Sequence, residues 1–290
     1  MYNLLKNFSR LPMPMLQTLA RGAGSILFTT HSSARRTTEL NINTAYPELD
    51  NQQKIQLVKA SLKSQCMTYV ESIKVWGSSP EFALSQIKQV HNAEIFLEAL
   101  KNPNGTLGVV PHFGTWEIMN AWVNQHTSPV ILYKPSRNKD LDRFMLESRE
   151  QLKATLVPTD DTGVRALFKH LKQGGFSAIL PDHIPKDSGG IYSDFYGQKA
   201  FSSTLLSKLA AKTQCSVVGL TCIRRPDYSG FDLHFTELSK EINSKDLQLS
   251  VDTLNKEMER MINIAPEQYL WAYKRFRKLE GGKNLYKPKS

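Results

Sequence analysis

The chain has 290 residues, 40% of them hydrophobic, which places it in the globular class with enough length to bury one substantial core. Its 37 Lys and Arg against 27 Asp and Glu give a net charge of +10, so we expect acidic partners: phospholipid head groups, phosphorylated sugars, an acidic carrier protein or nucleic acid. Cys66, Cys215 and Cys222 form no C-x-x-C pair, which argues against a disulfide framework and indicates buried filler residues in a reducing compartment. The seven histidines form no ligand cluster, so neither a metal nor another cofactor is predicted.

Residues 1 to 36 are predicted to form a membrane-associated segment. They contain no acidic residue, and five basic residues are interleaved with apolar ones: Lys6, Arg10, Arg21, Arg35 and Arg36. The longest uncharged stretch, residues 22 to 34, falls short of the ~20 apolar residues that span a bilayer. We therefore predict a helix at the membrane interface, although residues 11 to 34 would span if Arg21 snorkels. Pro12, Pro14 and Arg21 break the apolar core that a cleaved signal peptide would need.

Two helical stretches precede the first predicted strand. In residues 50 to 76 apolar side chains recur every three or four positions, Asp50 can cap the helix, and Gly77 ends it. Residues 80 to 101 are predicted as a second helical stretch, broken near Val90. Residues 102 to 105 then form a turn that leads into the strand.

A strand, a turn and a helix around His112 organise the chain. Residues 106 to 111 are predicted as a short buried strand, and a helix is predicted from about residue 115 to 124. A separation of five along a helix rotates two side chains by about 140°, so His112 is placed in the turn. Glu117 then lies in the first helical turn, where the helix dipole favours a carboxylate.

This arrangement predicts a general base. An imidazole of His112 bonded to Glu117 would be held in one tautomer, and the imidazolium formed on protonation would be stabilised. The turn contains no serine or cysteine, which indicates direct attack by a substrate hydroxyl rather than a covalent enzyme intermediate. The spacing alone leaves open an ordinary turn histidine near a solvated glutamate.

Strands and helices alternate beyond this motif in the α/β manner. The predicted strands are residues 130 to 133, 155 to 157, 176 to 180, 216 to 223 and 231 to 235. The predicted helices are residues 139 to 153, 163 to 172, 202 to 212 and 247 to 264, with Pro266 in a first-turn position. The last twenty residues carry a net charge of +6, which indicates either a solvated tail or an anchor to anionic lipid.

The run HFGTWE after an apolar strand resembles the His-x-x-x-x-Glu signature of the bacterial late acyltransferases of lipid A biosynthesis, relatives of the glycerolipid acyltransferases. Further segments resemble family blocks in family order: residues 131 to 150, 163 to 183, 194 to 218 and 266 to 277, and more loosely 41 to 50. The resemblance implies an α/β fold with a central mixed sheet flanked by helices. It divides the chain into a membrane-associated segment (1 to 36), an acyltransferase domain (37 to 280) and a basic tail (281 to 290).

The resemblance also implies a reaction, the transfer of a fatty acyl chain from acyl carrier protein to a hydroxyl of a phosphorylated lipid A precursor. His112 would deprotonate that hydroxyl, and Glu117 would orient and charge the imidazole. Arg149 matches the family's essential arginine and would bind an oxyanion or a phosphate, unless it is a surface residue. Asp182, in a strand-end Leu-Pro-Asp, is expected to support the site, by holding Arg149 or by capping the next turn.

Two departures from the family pattern, His183 for glutamine and Lys134 for arginine, leave the identity of the acceptor open. Within enzymes, the alternative is an acyltransferase acting on a glycerolipid or an aminolipid. Outside enzymes, it is a basic membrane-surface protein, since no helix-turn-helix, RRM or zinc signature supports nucleic-acid binding. We expect the cytoplasmic face of the inner membrane, with peripheral or single-pass attachment.

Overall fold

The computed structural model describes residues 1 to 287; residues 288 to 290, the end of the predicted basic tail, lie outside the described residues. The helices are α1 Tyr2–Ser9, α2 Met13–Thr29, α3 Ser33–Ala45, α4 Asn51–Trp76, α5 Pro80–Gln86, α6 Ala93–Ala99, α7 Trp116–His126, α8 Lys139–Glu150, α9 Asp161–Leu171, α10 Leu205–Thr213 and α11 Leu247–Ile262. The strands are β1 Ile87–His91, β2 Thr106–Val109, β3 Val130–Tyr133, β4 Thr155–Pro158, β5 Phe176–Ile179, β6 Gly190–Phe195, β7 Gln198–Ser203, β8 Ser216–Arg224 and β9 Phe231–Glu237. Pro266 begins a short 3₁₀ turn, Pro266–Gln268, as its first-turn position predicts.

A five-stranded mixed sheet lies at the centre, in the order β1-β9-β8-β2-β5. Strands β2, β5 and β8 are parallel to one another, whereas β9 runs antiparallel to β8 and parallel to β1. Alternate side chains of these strands enter two apolar clusters, with Leu107 and Val109 in one and Val218, Leu220 and Cys222 in the other. The predicted mixed sheet flanked by helices is therefore confirmed.

Two smaller sheets stand apart from the central one. The predicted strands at 130 to 133 and 155 to 157 form, but they pair in parallel only with each other. An unpredicted hairpin joins β6 and β7 through Tyr196 and Gly197, which both have positive φ, as two-residue hairpin turns require. The predicted helix at 202 begins only at Leu205, because residues 198 to 203 belong to this hairpin.

The helical predictions before β2 are confirmed in one case and wrong in the other. Helix α4 begins after Asp50, which forms a capping box with Gln53, and ends at Trp76 before Gly77. Residues 80 to 101 are not one broken helix, because strand β1 separates the short helices α5 and α6. Strand β1 exists through its pairing with β9, a distant partner that overrides the local helical preference.

The N-terminal helix α2 has two apolar faces. Met13, Leu16 and Ala20 are buried, and Gly24 lies so close to α4 that an added Cβ would be 2.5 Å from the Cα of Lys63. A second face exposes Met15, Leu19 and Ile26 by 50%, 53% and 62%. Within residues 1 to 287, no helix has both the length and the apolar content needed to cross a membrane.

Candidate active site

The register of two parallel strands brings His112 beside Asp182. Val109 at the end of β2 is paired with Ile179 at the end of β5, and the Val110 N–H donates to the Ile179 carbonyl at 3.0 Å. Each strand continues through a proline to a polar residue three positions further on. Because the carboxyl ends of parallel strands share one edge of the sheet, equal extensions place the two side chains together.

Both oxygens of the Asp182 carboxylate bind His112. The backbone N–H of His112 donates to Oδ2 at 3.0 Å, and the ring Nδ1 lies 2.8 Å from Oδ1. The Asp182 side chain is 2% exposed. Burial alone would raise its pKa, but the charge and hydrogen bonds of His112 outweigh burial and hold the pKa of Asp182 well below its ordinary value. Asp182 is therefore an ionised acceptor for the ring.

This pairing corrects the sequence-based expectation that Glu117 holds the His112 ring. An Nδ1–H donated to Asp182 fixes one tautomer, which leaves Nε2 as the ring nitrogen able to take a proton. The signal was present in the sequence, because Val-Val-Pro-His and Ile-Leu-Pro-Asp place a polar residue at the same distance from two buried strands. Asp182 also does not take the expected role of holding Arg149, which has a different partner.

Aromatic rings enclose the His112 imidazole. The His183 ring stacks on it with centroids 3.8 Å apart, Tyr273 stacks on the other side of His183 at 4.1 Å, and Trp116 meets His112 edge-on at 5.2 Å. Burial, together with the charges of His112 and Arg275, lowers the pKa of His183 to about 4. A neutral His183 thus packs on the imidazole in the physiological pH range without adding a charge.

A second ion pair joins Glu117 to Arg149. The Nη2 of Arg149 donates to both carboxylate oxygens of Glu117, at 2.7 and 2.8 Å, and Asn120 donates to Oε2 at 3.0 Å. Glu117 lies in the first turn of α7 and Arg149 in the last turn of α8. The side chains are 6% and 14% exposed, so Arg149 is not the surface residue that the sequence left possible. Among the described residues, the buried Nε of Arg149 has no hydrogen-bond partner.

Backbone contacts hold the turn between His112 and α7 against the sheet. Gly114 has φ +64°, and an added Cβ would be 2.0 Å from the carbonyl oxygen of Cys222. The Thr115 N–H donates to that carbonyl at 2.9 Å, and the Gly114 N–H donates to the Gln268 carbonyl at 3.0 Å. The turn therefore requires glycine and is fixed to the end of β8.

A buried pair of Glu71 and Arg224, which was not predicted from the sequence, lies under this turn. The Nε and Nη2 of Arg224 each donate to Glu71 at 2.6 Å, and the two side chains are 0% and 3% exposed. Glu71 occurs four positions after Met67 and four before Val75, on the buried stripe of α4. An acidic residue at a core position of an amphipathic helix was the available signal.

The two ion pairs can supply a base and a fixed cation. His112 presents a ring nitrogen beside a buried anion, and Arg149 presents guanidinium N–H groups that Glu117 does not use. In the part of the chain that the structure describes, no group of three or more His, Cys, Asp or Glu side chains could hold a metal ion. The arrangement suits proton abstraction from a hydroxyl next to a site that stabilises negative charge.

Comparison with known proteins gives the class of this protein. The chain belongs to the bacterial lipid A biosynthesis acyltransferase family, whose model matches residues 2 to 278. It is thus an acyltransferase of lipid A biosynthesis, and the family implies a lipid A acceptor.

Its curated relatives include enzymes that differ in the acyl chain named for them. It is 23% identical to the lipid A biosynthesis lauroyltransferase of Escherichia coli (strain K12) over 269 residues, covering 92% of this chain and 87% of the relative. It is 24% identical to the palmitoleoyltransferase over 276 residues, covering 92% and 87%. It is 22% identical to the myristoyltransferase over 266 residues, covering 90% of this chain and 79% of the relative. The palmitoleoyltransferase and the myristoyltransferase are from the same organism as the lauroyltransferase.

Proposed function

We propose that the protein transfers a fatty acyl chain from acyl carrier protein to a hydroxyl of a phosphorylated lipid A precursor, with His112 as general base. The observation that carries this proposal is the hydrogen bond between His112 Nδ1 and the buried Asp182 carboxylate, in a turn that resembles the family signature and lies within the residues matched by the family model. The acceptor hydroxyl gives its proton to Nε2 of His112, and its oxygen attacks the thioester carbonyl. Collapse of the tetrahedral intermediate forms the ester, breaks the C–S bond, and returns the proton from His112 to the departing thiolate.

The second ion pair has the task of binding negative charge. Glu117 occupies one guanidinium nitrogen of Arg149, which fixes the direction of the remaining N–H donors. These donors bind either the oxyanion of the tetrahedral intermediate or a phosphate of the acceptor. In this scheme Glu117 keeps its place in the catalytic site, but it acts on Arg149 instead of on His112.

The test is an assay with acyl-acyl carrier protein and a phosphorylated lipid A precursor, with the product detected by mass spectrometry. Loss of the base in His112→Ala should lower kcat by about 10² to 10⁴. His126→Ala is the matched control, since this exposed histidine ends the same helix α7. Near-normal turnover by folded His112→Ala would remove the mechanism. Preferential acylation of a lysoglycerolipid would instead support the alternative substrate class.

We further propose that residues 1 to 36 lie in the plane of the cytoplasmic face of the inner membrane. The exposed apolar stripe of α2, Met15, Leu19 and Ile26, faces away from α4, and no acidic residue occurs in the segment. Each basic residue near anionic lipid contributes about 1 kcal/mol, and the basic tail adds further cations. Apolar and electrostatic contributions would thus act together.

Vesicle sedimentation tests this attachment. Leu19→Glu and Ile26→Glu should release the protein from vesicles containing phosphatidylglycerol, whereas Leu249→Glu, at a 41% exposed position on α11, should not. Point variants test this better than a truncated chain that begins at Asn41. The truncation would also remove Leu16 and Gln17, which are buried against the rest of the protein, and could disturb the fold. Equal binding by all three variants would show that the attachment lies elsewhere.

A further inference from the structure

One buried carboxylate on α4, that of Glu71, connects α2 and β8 to the turn that carries His112. Glu71 accepts hydrogen bonds from Arg224 of β8, from Nε2 of Gln17 on α2 at 2.8 Å, and from the Thr115 hydroxyl at 2.6 Å. The Arg224 guanidinium also donates to the Ser64 hydroxyl at 3.0 Å, so it has hydrogen-bond partners besides Glu71. All the partners named here are at most 3% exposed.

The Thr115 hydroxyl is directed away from its usual partners. Thr115 is the N-cap residue of α7, a position where threonine ordinarily accepts a hydrogen bond from a backbone N–H of the first helical turn. Its side chain makes no such bond and donates to Glu71 instead. Thr115 lies between His112 and Glu117 in the chain, and each of those residues belongs to one ion pair of the site. The hydrogen bond to the Glu71 carboxylate therefore holds the segment that connects the two ion pairs.

We propose that Glu71, held by Arg224, is a positioning residue that fixes the catalytic turn through the hydroxyl of Thr115. Replacing a buried ion pair by well-packed apolar side chains is often neutral or stabilising, so this pair, even with its further hydrogen bonds, is weak evidence for a role in stability alone. The pair supplies a rigid acceptor at one defined point under the turn. This inference rests on the proposed role of His112, because positioning matters only if the turn carries the reacting groups.

The position of the turn sets the distance between the base, the hydroxyl and the thioester. Displacing reacting groups by about 1 Å can lower a rate by about 10²-fold. Such a displacement acts on kcat more than on KM, since most substrate contacts remain in place. Loss of the Thr115 to Glu71 hydrogen bond should therefore lower kcat out of proportion to its effect on stability.

The experiment removes single hydrogen bonds from Glu71 without leaving Arg224 unpaired, a change that could unfold the protein. Thr115→Val keeps the side-chain shape and loses the hydroxyl, and with it both the hydrogen bond to Glu71 and a longer one of 3.4 Å from Nη2 of Arg224, which keeps its bonds to Glu71 and Ser64. Thr115→Ser keeps the hydroxyl, and Gln17→Met removes a different hydrogen bond to the same carboxylate. We expect kcat to fall by about 10- to 100-fold in Thr115→Val. Thr115→Ser and Gln17→Met should stay within about threefold of wild type, with KM little changed.

A second measurement does not depend on turnover. Amide hydrogen exchange of the peptide containing residues 112 to 117 should accelerate in Thr115→Val and not in Gln17→Met. Equal loss of kcat in Thr115→Val and Gln17→Met, or wild-type kcat and exchange in Thr115→Val, would overturn the proposal. If His112→Ala remains active in the same assay, the proposed mechanism fails, while the exchange data still decide whether Glu71 fixes the turn.

Discussion

Replacing Asp182 by asparagine should be far more damaging than the loss of one charge suggests. Both carboxylate oxygens accept from His112, one from its backbone N–H and one from its ring. Asparagine offers one oxygen and one NH₂ group. If the oxygen faces the ring, two donors meet at the His112 backbone. If the NH₂ faces the ring, Nδ1 must become the acceptor, and the proton moves to Nε2, the nitrogen that has to act as the base.

Either outcome impairs the base, so we expect Asp182→Asn to lower kcat/KM by about 10³, which corresponds to about 4 kcal/mol in the activation barrier. The assay is acyl transfer to a lipid A precursor, followed by mass spectrometry, with thermal unfolding to confirm that the variant is folded. Asp187→Asn is the control, since the Asp187 side chain is 94% exposed and pairs with Lys278 on the surface. A kcat/KM of Asp182→Asn within about threefold of wild type would refute the assignment.

The same variant carries a signature in the pH dependence of stability. Because the pKa of Asp182 is held below its ordinary value in the folded protein, its ionised form stabilises the fold above about pH 4. That contribution is lost as the pH falls towards the lower pKa of the folded state. The stability difference between wild type and Asp182→Asn should therefore be largest near neutrality and shrink in acid, and a difference that grows in acid would contradict the pairing.

Two further substitutions test the second ion pair and the turn. Arg149→Lys should lower kcat by about 10- to 100-fold, because an ammonium cannot both bind Glu117 and present the directed N–H donors of a guanidinium. Arg143→Lys, on the exposed face of α8, is the control. If both variants keep the wild-type kcat, Arg149 has only a structural role. Gly114→Ala should destabilise the protein by about 2 kcal/mol more than Gly197→Ala in urea unfolding. Both glycines have positive φ, but only at Gly114 would the added Cβ meet a carbonyl oxygen, at 2.0 Å. Equal losses would show that the contact with Cys222 relaxes freely.

The sequence predicted those elements whose patterns are local. The stripe of apolar residues and the cap at Asp50 predicted α4 to within one residue at its start, and the buried run after Gly105 predicted β2. Strand β1 was missed because its five residues are stabilised by pairing with β9, which follows about 140 positions later in the chain. A short segment with a distant partner carries little information about its own conformation.

The site shows the same division. The sequence placed His112 in the turn and Glu117 in the first turn of the helix, and both positions are confirmed. It assigned the wrong carboxylate to the imidazole, because proximity in the chain was used where the register between β2 and β5 decides. Arg149 has Glu117 as its partner for a similar reason, since the ion pair joins two different helices, α8 and α7, and neither helix alone encodes that contact.

His112 and Asp182 each lie three positions beyond a paired strand end, and this equal spacing constrains where the chain can change length. A single inserted residue before His112 or before Asp182 would turn the following side chain to the opposite face of the sheet, and only a matching insertion in the other strand would restore the pair. The exposed turn at residues 226 to 229, between β8 and β9, has no such constraint. Natural length variation, epitope tags and inserted reporter domains should therefore be tolerated in that turn and excluded from the two strand extensions.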